Sequence, residues 1–328
     1  MRAAVTGGCG FIGSHVVDHL VAAGHEVLVV DKKKRWLNPE ASYVIADIFD
    51  ETVLRGAFKG CQAVFHLAGV ADVDEVAADP VSAVRLDVEG AARVLDAARR
   101  SRCARVLLAS TVWVYGATAG NGERTEDAPV DLARSGHLYV STKLAAEMVM
   151  RSYLEMYDQE FTILRYGVPY GPRMREALVI AKFVQAAQVG EPIMIAGTGQ
   201  QQRNFVYVED LAGAHVLALR PEAANQTIAL EGDTPVSVNE IAEAVQRLVR
   251  QVPIRHTDGR AADYEGVSNS NQRAKDILNW SPTTPLTEGI RRYLAWLNSQ
   301  RLDSQWPSHR PSSRRSSSRR HNGQRGDR

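Results

Sequence analysis

Tyr139-Val140-Ser141-Thr142-Lys143 sets a phenol and an ammonium four residues apart, on one face of any helix that carries them. A tyrosine hydroxyl has an ordinary pKa of about 10. Positive charge beside it favours the phenolate, the form that accepts a proton near neutrality. Lys143 supplies such a charge. Ser110 and Thr111 follow the apolar run Val106–Ala109. A hydroxyl at the carboxyl end of a parallel strand can bond a substrate oxygen that gains or loses a proton. The chemistry open to these residues is proton exchange at a carbinol or carbonyl oxygen.

That chemistry needs a framework and a partner, and the first residues indicate both. Arg2 to Thr6 reads as a short strand, and Phe11, Ile12, Val16, Val17, Leu20 and Val21 recur at helical spacing. Gly7-Gly8-Cys9-Gly10-Phe11-Ile12-Gly13 lies between them, the strand-to-helix context of a dinucleotide fingerprint. Gly7 and Gly8 allow the tight turn, Gly10 lets the backbone approach a pyrophosphate, and Gly13 lets helix and strand pack closely. Val27–Val30 reads as the second strand and ends at Asp31, 18 residues after Gly13. A carboxylate there accepts hydrogen bonds from the adenosine ribose and repels a 2′-phosphate, which favours NAD over NADP. Lys32, Lys33, Lys34 and Arg35 follow at once, and such a cluster could hold a 2′-phosphate. With an oxidised nicotinamide bound, Tyr139 would have a second positive charge nearby, and Lys143 could bind the cofactor's ribose hydroxyls.

The rest of the first half alternates in the same way. Strands are expected at Tyr43–Ala46, Ala63–Leu67, Val106–Ala109 and Thr162–Leu164. Helices are expected near Asp50–Lys59, Val81–Arg100 and Val140–Tyr157, the second with Val84, Val88, Ala91, Ala92 and Leu95 on one face. This order predicts an α/β fold, a doubly wound parallel (Rossmann) sheet, over residues 1–173. Residues 174–299 are mixed and predict a smaller C-terminal substrate domain, partly interleaved with the first. Within it Ser237-Val238-Asn239-Glu240 reads as a capping box, and helices are expected near Arg273–Leu278 and Leu286–Leu297. Residues 300–328, rich in Ser, Arg, Pro and Gly, predict a disordered basic tail.

Composition sets outer limits. The 328 residues can bury a large core, and 45% hydrophobic with 23% charged residues suits a globular protein. No apolar run reaches the length of a membrane span, and no apolar leader opens the chain. Three scattered cysteines, Cys9, Cys61 and Cys103, fit a reducing cytoplasm without a disulfide framework. No His, Cys or carboxylate spacing matches a metal site. The net charge of +1 divides into a mildly acidic body and a basic tail. The tail could touch a polyanion, but nothing in the body suggests nucleic-acid binding.

Further segments make the chain recognisable. His66-Leu67-Ala68-Gly69, Ser110-Thr111 through Tyr115-Gly116, Leu164-Arg165-Tyr166, Tyr170-Gly171-Pro172-Arg173, Arg203 through Asp210 and Leu278-Asn279-Trp280-Ser281-Pro282 join the glycine turn, Asp31 and the Tyr139/Lys143 pair. Together they resemble the extended short-chain dehydrogenase/reductases, in the NAD-dependent epimerase/dehydratase branch typified by nucleotide-sugar 4-epimerases. The resemblance covers roughly residues 1–300. It implies Thr111 as the reactive hydroxyl, Tyr139 as acid/base and Lys143 as ribose ligand. It also implies that Asp47 and Ile48 contact adenine, that Leu67, Ala68 and Gly69 line the cofactor's diphosphate and ribose, and that Arg203 grips the substrate's diphosphate. It further implies a homodimer built on the Tyr139 helix and its neighbour.

Three departures narrow that reading. Dehydratases of the family carry an Asp-Glu pair after the threonine. Here Val112 and Trp113 stand there and cannot transfer protons. Val168-Pro169 lacks an asparagine usual before the Tyr-Gly-Pro segment. Asp87 replaces a common asparagine, either as a structural substitute or as a change to the substrate pocket. The expected function is NAD-dependent epimerisation of a UDP- or dTDP-sugar at C4 through a keto intermediate. A net dehydrogenase or ketoreductase is the alternative, and a non-catalytic NAD-binding regulator the third reading.

Overall fold

The computed structural model describes residues 1–116, 124–130, 136–258 and 269–305. Twelve strands are described: β1 (Arg2–Thr6), β2 (Glu26–Asp31), β3 (Ser42–Ile45), β4 (Ala63–His66), β5 (Arg105–Thr111), β6 (Glu160–Tyr166), β7 (Val168–Tyr170), β8 (Ile193–Ala196), β9 (Gln202–Tyr207), β10 (Gln226–Leu230), β11 (Pro235–Ser237) and β12 (Ile254–Thr257). The described α-helices are α1 (Phe11–Ala22), α2 (Glu51–Phe58), α3 (Val73–Ala78), α4 (Pro80–Val84), α5 (Gly90–Arg100), α6 (Leu138–Tyr157), α7 (Val179–Val189), α8 (Val208–Leu217), α9 (Val238–Leu248) and α10 (Leu286–Gln305).

Seven strands form one sheet in the order β10-β6-β5-β4-β1-β2-β3, and every pairing in it is parallel. Its inner strands are apolar on both faces, as expected where helices cover each side. Val16, Val17 and Leu20 of α1 pack on one face with Leu211, Ala212 and Ala214 of α8. Leu54 and Phe58 of α2, Val94 and Leu95 of α5, and Ala146 and Met150 of α6 pack on the other. The chain winds outward in both directions from β1 and β4. That leaves a crevice between their carboxyl ends, where folds of this kind take ligands.

The doubly wound sheet and smaller mixed unit expected from the sequence are both present. The interleaving is reciprocal. β10, from the second half, closes the large sheet beside β6. β7, from the first, joins β9 and β11 in a three-stranded sheet. The capping box at Ser237 and Glu240 opens α9 as expected.

Two expectations change. The helix predicted over Val81–Arg100 is interrupted by a π turn at Arg85–Glu89. The wider turn breaks the 3.6-residue register. Val84 therefore leaves the face it was expected to share with Ala91 and Leu95 and stands 42% exposed. In addition α10 runs to Gln305, so the chain is still helical where the tail was expected to begin. Residues 306–328, most of that tail, lie outside the described residues. Among the described residues no helix is long and apolar enough to cross a membrane.

Candidate active site

The crevice is built first by glycines. Gly7 holds φ +73°, and a Cβ on it would lie 2.5 Å from the Ala68 backbone nitrogen. The loops after β1 and β4 thus approach closer than any other side chain would allow. A Cβ on Gly13 would overlap the Gly7 carbonyl oxygen. Gly10 caps α1 from an extended conformation, which leaves the first amides of the helix facing the crevice, an arrangement suited to a phosphate.

Asp31 ends β2 and closes this turn from the other side. Its carboxylate accepts the Cys9 N–H and the Lys33 N–H, both at 2.9 Å. The basic cluster that follows is partly engaged elsewhere. Lys32 pairs with Asp47 at 2.9 Å, and Arg35 lies over the Trp36 ring. Burial raises the Asp47 carboxyl, but hydrogen bonds from Lys32 and the Phe49 N–H outweigh it and leave the pKa low. Ile48 is buried against Gly90 at the start of α5. Leu67 continues β4, its N–H donating to the Thr6 carbonyl. The glycine turn, Asp31 and the loop after β4 thus come together, and the cradle between them is one that a Cβ would fill. They fit NAD.

The residues expected to move protons sit above that crevice. Thr111 is the last residue of β5 and Tyr139 the second of α6. The Thr111 hydroxyl accepts the Trp113 N–H at 3.2 Å and lies near enough to Tyr139 to favour its phenolate. Lys143 lies one turn on, its Nζ 5.9 Å from the Tyr139 ring centre. Burial pushes the Tyr139 phenol above its ordinary value of 10, opposed by Lys143, Thr111 and Arg175 and reinforced by Asp87. Trp113 packs edge-on against the Tyr139 ring at 6.3 Å.

Ser110 and Thr111 were equal candidates from their own chemistry, and the structure separates them. Ser110 donates to Glu147 at 2.5 Å, and Glu147 pairs with Arg165 through two contacts of 2.9 and 2.6 Å. Ser110 therefore belongs to a buried ion-pair network. His66 is also structural in setting. It is buried, its Nδ1 hydrogen-bonds Thr6 Oγ1 at 2.8 Å, and burial with the nearby Lys143 charge lowers its pKa to about 3. Arg203 stands on β9 opposite Val236 of β11. Its guanidinium donates to the neighbouring Gln202 carbonyl at 2.7 Å.

Asp87 and Arg175 gain importance. Asp87 sits on the π turn, buried, with Lys143 Nζ at 3.6 Å. Arg175 was not singled out from the sequence, although it follows the Tyr170-Gly171-Pro172-Arg173 segment by two residues. It donates to Asp72 at 2.8 Å and adds positive charge near Tyr139. That segment is itself fixed to α1. His15, neutral because burial lowers its pKa to about 4, bonds the Pro172 carbonyl at 2.9 Å. Arg173 pairs with Asp18 at 2.7 Å.

The model of the NAD-dependent epimerase/dehydratase family matches residues 3–230. The chain belongs to that family. A UDP-glucose 4-epimerase of Mycolicibacterium smegmatis is 33% identical over 309 residues, which are 89% of this chain and 97% of the relative. A UDP-glucuronic acid decarboxylase of Xenopus tropicalis is 28% identical, over 91% of this chain and 72% of its own length. Among solved structures, the Thermus thermophilus UDP-glucose 4-epimerase in complex with NAD superposes with a TM-score of 0.83 at 28% identity, covering 91% of this chain and 99% of that one. This is an enzyme family whose cofactor is NAD, in agreement with Asp31 and the glycine turn.

Proposed function

We propose that this family member epimerises a UDP- or dTDP-sugar at C4, with Thr111, Tyr139 and Lys143 as its reactive residues. One observation carries the reading. Thr111 ends β5 at the carboxyl edge of the sheet, near enough to Tyr139 to favour its phenolate, and no second acid–base pair follows it, since Val112 and Trp113 occupy those positions. Such a site can take and return one proton. Eliminating water would need more.

Gly7, Gly10, Phe11, Ile12, Gly13, Asp31, Asp47, Ile48, Leu67, Ala68 and Gly69 would hold the cofactor, with Lys143 as the ligand of its ribose. When bound, NAD⁺ supplies a hydride acceptor that gives the same hydride back, and a positive charge near Tyr139. Thr111 and Tyr139 hold the C4 oxygen between them. Tyr139 takes its proton as the carbinol becomes a keto group, and returns it after the sugar presents its other face. Lys143 and Arg175 favour the phenolate during that step. Arg203 grips the substrate diphosphate. Purified protein with NAD⁺ should equilibrate a UDP- or dTDP-hexose, hexosamine or uronic acid with its C4 epimer, read by NMR of the sugar. No interconversion in any of them sinks the proposal.

A second reading has its own observation. Val168 stands where an amide would help bind a nucleotide-sugar diphosphate, which favours a net dehydrogenase or ketoreductase. Accumulation of NADH during turnover would select it. Assembly as a homodimer is also proposed. Val81 and Met148 are 77% and 62% exposed on the α4 and α6 helices, and a second copy would cover them.

A further inference from the structure

Asp87 lies behind the proposed acid–base pair, and its side chain has no exposed surface. Its Oδ1 accepts the Val70 N–H at 2.9 Å, and its Oδ2 accepts the Thr142 hydroxyl at 2.8 Å. Lys143 Nζ is 3.6 Å from Oδ1. Gly69 passes so near that a Cβ on it would lie 2.7 Å from Asp87 Oδ1 and 2.9 Å from Lys143 Nζ. The loop after β4, the π turn and α6 are thus tied together at one carboxylate. An amide at position 87 could keep both hydrogen bonds. Its oxygen would accept from Val70, and its NH₂ would donate to the Thr142 hydroxyl, whose single proton would then turn to the Tyr139 carbonyl 2.9 Å away. What the amide lacks is charge.

We propose that Asp87 is a positioning residue that gives Lys143 a fixed counter-ion, so that the ammonium is shared between a buried carboxylate and Tyr139. This rests on the roles proposed above for Tyr139 and Lys143. Tyr139 is faced by Lys143 on its own helix, Thr111 from β5, Asp87 from the π turn, Arg175 from the segment after β7 and Tyr166 from β6. His66, on β4, faces Lys143 and is neutral. Lys143, Thr111 and Arg175 favour the phenolate and Asp87 opposes it. With the carboxylate present Tyr139 stays protonated to a higher pH than the lysine alone would set. The phenol then ionises readily only when a further positive charge enters the site, which links proton transfer to a loaded cofactor pocket.

The test uses full-length protein labelled with [¹³Cζ]tyrosine, with NAD⁺ added and no sugar. Tyr139→Phe assigns the resonance. Asp87→Asn should lower the Tyr139 midpoint by about 1 unit while the thermal unfolding midpoint stays within about 3 °C. Asp87→Ser, a second neutral side chain, should shift it in the same direction. Thr142→Val keeps the carboxylate but removes its hydrogen bond, and should leave the midpoint in place. The proposal is overturned if Tyr139 titrates alike in wild type and both neutral variants, including the case where it stays un-ionised in all of them. It is also overturned if Thr142→Val shifts the midpoint as far as Asp87→Asn. With no sugar present, this outcome is independent of the reaction. A wrong epimerase reading would instead give normal titration without turnover.

Discussion

Two buried ion pairs hang from α6, one turn apart, and they are built differently. Glu147 takes two contacts from Arg165 and a third from Ser110, and Arg165 also donates to the Glu126 carbonyl at 3.3 Å. Lys143 has one contact with Asp87, at 3.6 Å. The first pair spends nearly all its donors and acceptors fastening α6 to β5 and β6. The second holds its ammonium by a single longer contact, 5.9 Å from the Tyr139 ring centre. A buried charge with every partner in place resists change, whereas one with capacity left can bind something else. Glu231, at the end of β10, is a third case. It has the Asn269 amide at 3.0 Å, and burial pushes its pKa up to about 7.

This contrast can be broken most sharply at the loose end. Tyr139→Phe should cut turnover by about 10³-fold with the unfolding midpoint unchanged, and a loss below tenfold would remove Tyr139 from the chemistry. Glu147→Ala should do the reverse. It strands Arg165 as an unpaired buried charge and should cost about 3–5 kcal/mol of stability in urea unfolding. A loss under about 1 kcal/mol would mean that the saturated pair is not structural.

Glu231→Gln addresses the carboxyl that has no cation beside it among the described residues. In the folded state Glu231 keeps its proton to a pH of about 7, against an ordinary value of 4.5. The folded protein then binds more protons than the unfolded chain across that window. Its stability should fall as pH rises from about 4.5 to about 7 and level off above. The glutamine variant should lack this slope and gain about 3 kcal/mol or less at pH 8. Chemical denaturation across that range would measure it, and identical slopes would refute it. The smallest effect separates the adjacent hydroxyls. Ser110→Ala should cost about 1–2 kcal/mol of stability and leave turnover near normal, whereas Thr111→Val should lower turnover at unchanged stability.

The fold was legible wherever neighbours in sequence decide it. The strand–turn–helix at Gly7–Gly13, the apolar runs ending at Asp31 and Thr111, and the Ser237 capping box follow from residues within one turn of each other. Tyr139 and Lys143 share a helix face for the same reason. The edge strand β10 was not expected, since Gln226–Leu230 is short and gains its place by pairing with β6. Nor was α3, whose N-terminal Asp72 accepts from Arg175.

The sequence by itself therefore determined the cofactor crevice, the phenol and the ammonium, because local periodicity and backbone freedom dictate them. Tertiary structure decided how those groups are charged. Asp87 and Ser110 each carried two readings in the chain. Only the π turn puts the first beside Lys143, and only the register of β5 against α6 sends the second to Glu147. Electrostatic partners are chosen by distance in space, and folding brings together segments that no local pattern connects.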